Sequence, residues 1–196
     1  MILPVIFNCR RGQPSPQLGE RGNWHLFWNS KSSDLWAGMR PDWRLDAALQ
    51  ARQTITPIPG QKEPILPAIA TAGEVLIDCH VYGSVPEGIT MSGAVHVTGR
   101  AGREDPDRRG RPPGPVAAAT VTRMQLVSIL FDHRPSIDID NPDPSRQWTS
   151  LQPIAGTEWF YELAQPPVQL HTYRPQEREP GQLRQELLLL DLDTSS

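Results

Sequence analysis

The sequence predicts a mainly β fold, a single barrel or sandwich of about seven to nine short strands with one short helix and long Pro-rich loops. Three observations carry this reading. Residues 74–132 hold three strand-like runs, separated by a short turn and by an insert rich in arginine, glycine and proline. The 21 prolines among 196 residues are about twice the usual frequency and break most of the remaining chain into loops. Only one segment has the spacing of an amphipathic helix. An OB-like five-stranded barrel is one form open to such a chain. Residues 1–196 are read as a single β-rich domain, with a mobile Arg/Gly/Pro insert at 101–115.

Taken in order, the apolar run from Ile2 to Asn8 is a first strand. It is too short for an export signal, and its charges, Arg10 and Arg11, follow the run instead of preceding it. Asn23 to Trp28 is a second run, short and aromatic, as half-buried strands are. Pro41 to Arg52 is the helix candidate: Leu45, Ala48, Leu49 and Arg52 share a face at i, i+3, i+4 and i+7, and Pro41 suits a first turn. Thr54 to Pro67 carries Pro57, Pro59, Pro64 and Pro67, which predict a surface connector in place of a helix or a central strand.

From Glu74 onward Val75, Ile77, Cys79 and Val81 fall on one face, and Asp78, His80 and Tyr82 on the other. Ser84 to Gly88 supplies turn chemistry, and Gly93 to Gly99 resumes a strand with Val95 and Val97 on one face. Between Ala117 and Asp132, Val121, Val127, Ile129 and Phe131 share one parity, and Met124, Leu126 and Leu130 the other. Apolar residues on both faces predict a long central or bent strand, or two strands joined at a bulge. His133 to Gln152 reads as a polar loop, Thr157 to Leu163 as a strand, Pro167 to Tyr173 as extended and Pro175 to Gly181 as a loop. The leucine run from Glu186 to Asp193 reads as a buried strand, with a short helix as the alternative.

A formal charge of −3 and a pI near 5.9 give no global electrostatic reason to expect a nucleic-acid or anionic-membrane partner. Lys31 and Lys62 are the only lysines among 19 basic residues, a bias that fits a GC-rich coding sequence. Arginine also suits forked recognition of carboxylates or phosphates. Cys9 and Cys79, the only cysteines, exclude a dense disulfide framework and a four-cysteine zinc site. No run approaches the roughly 18 apolar residues that span a bilayer. These features imply a soluble, cytoplasmic protein with two reduced thiols.

The acidic run from Asp138 to Asp143, with Asp132 before it, has the oxygen ligands a hard cation takes. Its spacing does not: Pro142 falls on a ligand position, Asp143 where an EF-hand needs glycine and Thr149 where it needs glutamate. These aspartates read as turn formers, and no metal is expected. None of His25, His80, His96, His133 and His171 lies in a zinc motif. A hairpin pairing the strands of His80 and His96 would gather Asp78, His80 and His96 into a polar cluster, with Cys79 on the opposite face. The chain has no Gly-x-Ser-x-Gly, Walker loop or Gly-x-Gly-x-x-Gly. No catalytic residue is therefore assigned and no cofactor is expected. Trp24 and Trp28, with Arg108, Arg109 and Arg111, are the candidate binding residues, because single strands stack their bases on aromatics beside a basic groove. Glu104, Asp105 and Asp107 offset much of that charge.

Thr120 to Ser128 and Glu186 to Asp193 are similar to stretches of small, uncharacterised β-rich actinobacterial proteins. The resemblance covers a small part of the chain and implies no activity and no site residue. Three function classes follow from the residues. The favoured one is a non-enzymatic interaction or accessory protein that presents loops from a β scaffold to a protein partner, with some of its six tryptophans as interface anchors. The second is an OB-like single-strand nucleic-acid binder using Trp24, Trp28 and the arginines. The third is a metal-dependent or acid-base enzyme built around His80, His96 and Asp132.

Overall fold

Alternation of buried and exposed side chains organises this chain, and neighbouring strands satisfy the backbone groups that alternation leaves in the plane of the sheet. The computed structural model describes residues 1–7, 15–30, 44–52, 64–92, 95–100, 114–136, 148–170, 174–175 and 182–195. These form β1 (Ile2–Phe7), β2 (Arg21–Asn29), β3 (Arg44–Ala51), β4 (Ile65–Ala72), β5 (Val75–Tyr82) and β6 (Gly88–Ser92). They continue through β7 (Val95–Arg100), β8 (Ala117–Ser136), β9 (Trp148–Pro153), β10 (Trp159–Glu162), β11 (Arg174–Pro175) and β12 (Gln182–Asp193). All belong to one sheet in the order β10-β8-β12-β1-β7-β2-β5-β4-β3-β6, with β9 on β8 and β11 on β12. The first residues of β8 also pair antiparallel with β2, Arg21 opposite Thr120 and Trp24 opposite Ala117.

The mainly β class holds. The principal core lies on one face of this sheet: Val75, Ile77, Cys79 and Val81 of β5 meet Trp24, Leu26 and Trp28 of β2, Val95 and Val97 of β7, and Leu188, Leu190 and Leu192 of β12. β5 also packs against β8 without pairing to it. Trp24 anchors this face. A Cβ at position 22 would stand 3.2 Å from its ring, so glycine there lets the indole lie flat across the strand. The β4–β5 hairpin closes in two residues, with Ala72 opposite Val75 and Gly73 at φ 59°. That backbone is the left-handed one tight hairpins require and glycine adopts at least cost.

β8 is the long bent strand its two-sided apolarity predicts. Asp191 faces Arg123 and Leu192 faces Val121, which leaves Thr122 as an extra residue in the ladder. Its hydroxyl donates to the Asp191 carbonyl at 3.1 Å. One unpaired residue reverses the alternation. Val121 and Met124 therefore both face the principal core, while Val127, Ile129 and Phe131 join Ile6, Leu187 and Leu189 in a second cluster.

Four expectations are corrected. The segment read as a helix is β3 over residues 44–51, with 41–43 outside the described residues. Leu45, Ala47 and Leu49 also alternate at period two and pack on the core, and ladders to β4 and β6 on both sides of β3 decide between the two periods. The predicted surface connector ends inside β4, an interior strand between β3 and β5. Pro67 is tolerated there because its nitrogen points away from β5; its carbonyl, on the same side, accepts from the Arg52 N–H at 2.9 Å. The polar loop at 133–152 contributes instead to β8 and β9, which pair Asp132 with Gln152 and Ser136 with Trp148. Among the described residues the strands number twelve, against the expected seven to nine, and include β6 at Gly88–Ser92, between the turn expected at 84–88 and the strand expected from Gly93.

Candidate functional site

The cluster of Asp78, His80 and His96 depends on which strands are neighbours. The expected hairpin between their strands does not form, because β2 lies between β5 and β7. Phe27 of β2 stands opposite Asp78 on one side and opposite His96 on the other. Two strand spacings, about 10 Å, therefore separate the backbones of Asp78 and His96. Phe27 occupies the gap: its ring meets the His80 ring edge-on, with centroids 4.9 Å apart and planes at 88°. Arg52 holds Asp78 at 3.1 Å. His96 is half-buried beside Phe27 and Ile6, and burial lowers its pKa below the usual 6.5.

Asp132 belongs to neither group. Gln125 shares the cross-strand row of His96 through Leu189 and Ile6, and Asp132 lies about 23 Å farther along β8, on the opposite face. Among the described residues no group of three or more His, Cys, Asp or Glu side chains is placed to hold a metal ion. Cys79 does point to the other face, as read. Its thiol is buried and donates to the Ile77 carbonyl at 3.5 Å, and burial pushes its pKa up to about 12. A thiol so protonated is a small core hydrophobe and a poor nucleophile.

Trp24 and Trp28 are also core residues, 0% and 2% exposed, so neither presents a stacking surface. The Trp24 indole donates from Nε1 to the Ala119 carbonyl at 3.1 Å, which satisfies its polar edge inside the sheet. Arg108, Arg109 and Arg111 lie outside the described residues, as do Cys9, Trp36 and the run from Asp138 to Asp143.

The exposed aromatic surface is elsewhere. In β10, Trp159, Phe160 and Tyr161 are 59%, 38% and 47% exposed. This strand is one end of the sheet path and pairs with β8. The Leu163 N–H donates to the Met124 carbonyl at 2.9 Å. In an antiparallel ladder that bond turns the backbone groups of Trp159 and Tyr161 toward β8 and those of Phe160 and Glu162 away from it. The rings of Trp159 and Tyr161 lie side by side, centroids 6.4 Å apart and tilted by 51°.

Carboxylates flank these aromatics. Glu162 accepts from Arg123 Nε at 2.9 Å and from Gln125 Nε2 at 2.8 Å, and Arg123 also approaches Asp191 at 3.8 Å. Continuing the register by one residue places Glu158 opposite Ile129, whose other neighbour is Gln185. Glu158 Oε2 and Gln185 Oε1 are buried with no hydrogen-bond partner among the described residues, a costly state for two acceptors. The sequence held a signal for this edge. Three consecutive large aromatics occupy both faces of any strand, so a sheet with one main core cannot bury them all.

Comparison with protein-family models, with curated proteins and with solved structures gives no match. Among the described residues no helix is long and apolar enough to cross a membrane.

Proposed function

We propose that this protein is a non-enzymatic interaction protein that engages a protein partner through the aromatic edge at β10. The observation that carries this reading is the exposure of Trp159, Phe160 and Tyr161 together on a terminal strand. Aromatic side chains supply large contact area at low entropic cost, and they concentrate where partners bind. The surface differs from the loops and from Trp24 and Trp28, but it includes Trp159, one of the six tryptophans the sequence offered as interface anchors. The circuit of ladders β2–β8–β12–β1–β7–β2 is read as a small barrel that holds β10 in place. Within this reading the protein works in the cytoplasm, where Cys79 stays reduced.

Bases also stack on exposed aromatics. Glu158, Glu162 and Asp191 beside β10 disfavour a phosphate backbone there, and a labelled single strand at low salt is expected to show no binding. The decisive test is affinity capture from source-cell lysate with the wild-type protein and a Trp159→Ser/Tyr161→Ser double variant. Partners retained by the wild type and lost by the variant, with its circular dichroism unchanged, support the reading. Equal capture by both proteins refutes it.

A further inference from the structure

We propose that β10 receives an extended segment of that protein partner as an added strand, and that the segment carries basic residues where it faces Glu158 and Glu162, an inference that rests on β10 being the partner edge. The outward N–H and C=O of Phe160 have no partner among the described residues. An open strand edge with free backbone groups is a template for strand addition, in which main-chain bonds give affinity and alternate side chains give specificity.

The side chains set the chemistry of the occupant. On the face of Phe160, the incoming strand meets Glu158, Phe160 and Glu162 in turn. Among the described residues, three carboxylates, Glu158, Glu162 and Asp191, stand beside β10, where the guanidinium of Arg123 pairs with Glu162 and approaches Asp191, so acidic groups outnumber that cation. The Glu158 carboxylate, whose Oε2 has no donor among the described residues, gains a charge partner from a lysine or arginine opposite it. On the other face the added strand meets Trp159 and Tyr161, which take apolar or β-branched side chains. There Arg184 donates to the Ser128 hydroxyl at 2.9 Å, and Glu186 pairs with the same residue across the ladder, so a charge of each sign stands beside Ser128. A second copy of this chain is a poor occupant. Antiparallel self-pairing centred on Phe160 sets Glu158 of one copy against Glu162 of the other, and like charges directly opposite destabilise a sheet.

The probe is the peptide acetyl-Thr-Lys-Val-Val-Val-Lys-Thr-amide, titrated calorimetrically into the full chain. Two control peptides replace both lysines by glutamate or N-methylate the central valine. The lysine peptide is expected to bind about ten-fold more tightly than the glutamate peptide, since two attractive charge pairs replace two repulsive ones. N-methylation, which removes a main-chain donor and leaves the protein untouched, is expected to abolish binding. Phe160→Pro removes a donor that faces away from β8, a position where an edge strand tolerates proline. It is expected to lose binding, while Phe160→Ala, which keeps the donor, retains most of it.

Equal affinity for the lysine and glutamate peptides overturns the proposal, as does unchanged binding after N-methylation. Concentration-dependent dimerisation in the ultracentrifuge that Phe160→Pro abolishes also overturns it, in favour of a second copy. If the peptides fail while Trp159→Ser/Tyr161→Ser still loses its captured partner, strand addition falls and the aromatic-edge reading stands. If the capture experiment fails as well, both fall.

Discussion

Replacing Trp24 by phenylalanine and, separately, Trp159 by alanine separates the core tryptophan from the one at the edge. At Trp24 the change deletes the Nε1 bond to the Ala119 carbonyl, a loss of about 1 kcal/mol. It also removes part of a fully buried ring, at roughly 1–2 kcal/mol for a large-to-smaller core substitution that leaves an unfilled volume. The sum is about 2–3 kcal/mol. With a urea dependence of about 2 kcal/mol per molar, the unfolding midpoint falls by about 1–1.5 M. At Trp159 most of the side chain already meets solvent, so truncation to alanine is expected to stay within about 0.5 kcal/mol. Urea unfolding followed by circular dichroism in the far ultraviolet suits both variants, because it reads the backbone and not the altered chromophore. A Trp24→Phe midpoint within error of wild type refutes the core assignment. A Trp159→Ala cost equal to that of Trp24→Phe refutes the exposed edge.

Three further outcomes are expected. In a Cys9→Ser background, Cys79 should resist a thiol-specific disulfide reagent at pH 8 in the native protein and react stoichiometrically in denaturant, since burial holds its pKa near 12; rapid native reaction would contradict the buried site. His96 titrates below 6.5 when folded because burial disfavours its charged form. Below pH 6.5 the unfolded state therefore binds a proton that the folded state does not, and stability present above that pH is lost as pH falls. His96→Gln should flatten this slope in urea midpoints measured from pH 8 to pH 5, and an unchanged slope would assign it to another group. Gly73→Ala places a Cβ at φ 59° and should cost about 1–2 kcal/mol in the same unfolding assay, whereas a neutral result would mean the hairpin turn relaxes to another geometry.

The strands were legible where local periodicity had no competitor. Val75 to Val81 alternates so regularly that no helical face survives, and the bend in β8 showed as apolar residues on both parities. The segment at 44–51 misled because Leu45, Ala48 and Leu49 satisfy a helical period while Leu45, Ala47 and Leu49 satisfy a strand period. Only partners at both edges decide such a tie. Pro67 argued for a connector by the general rule that proline avoids interior strands. The exception depends on which neighbour its nitrogen faces, and no local pattern encodes that.

The candidate site divides in the same way. By itself the sequence determined which residues share a face of one strand: Asp78 with His80, Cys79 opposite them, Trp159 with Tyr161. Side-chain alternation is a property of a single extended chain. Only the tertiary structure decided that β2 enters between β5 and β7, so that Phe27 parts His96 from Asp78. It also decided that Trp24 is interior while Trp159 stands at the open end of the sheet. Strand order is set by contacts between residues far apart in sequence, and a tryptophan carries the same local signal whether a neighbouring strand covers it or solvent does.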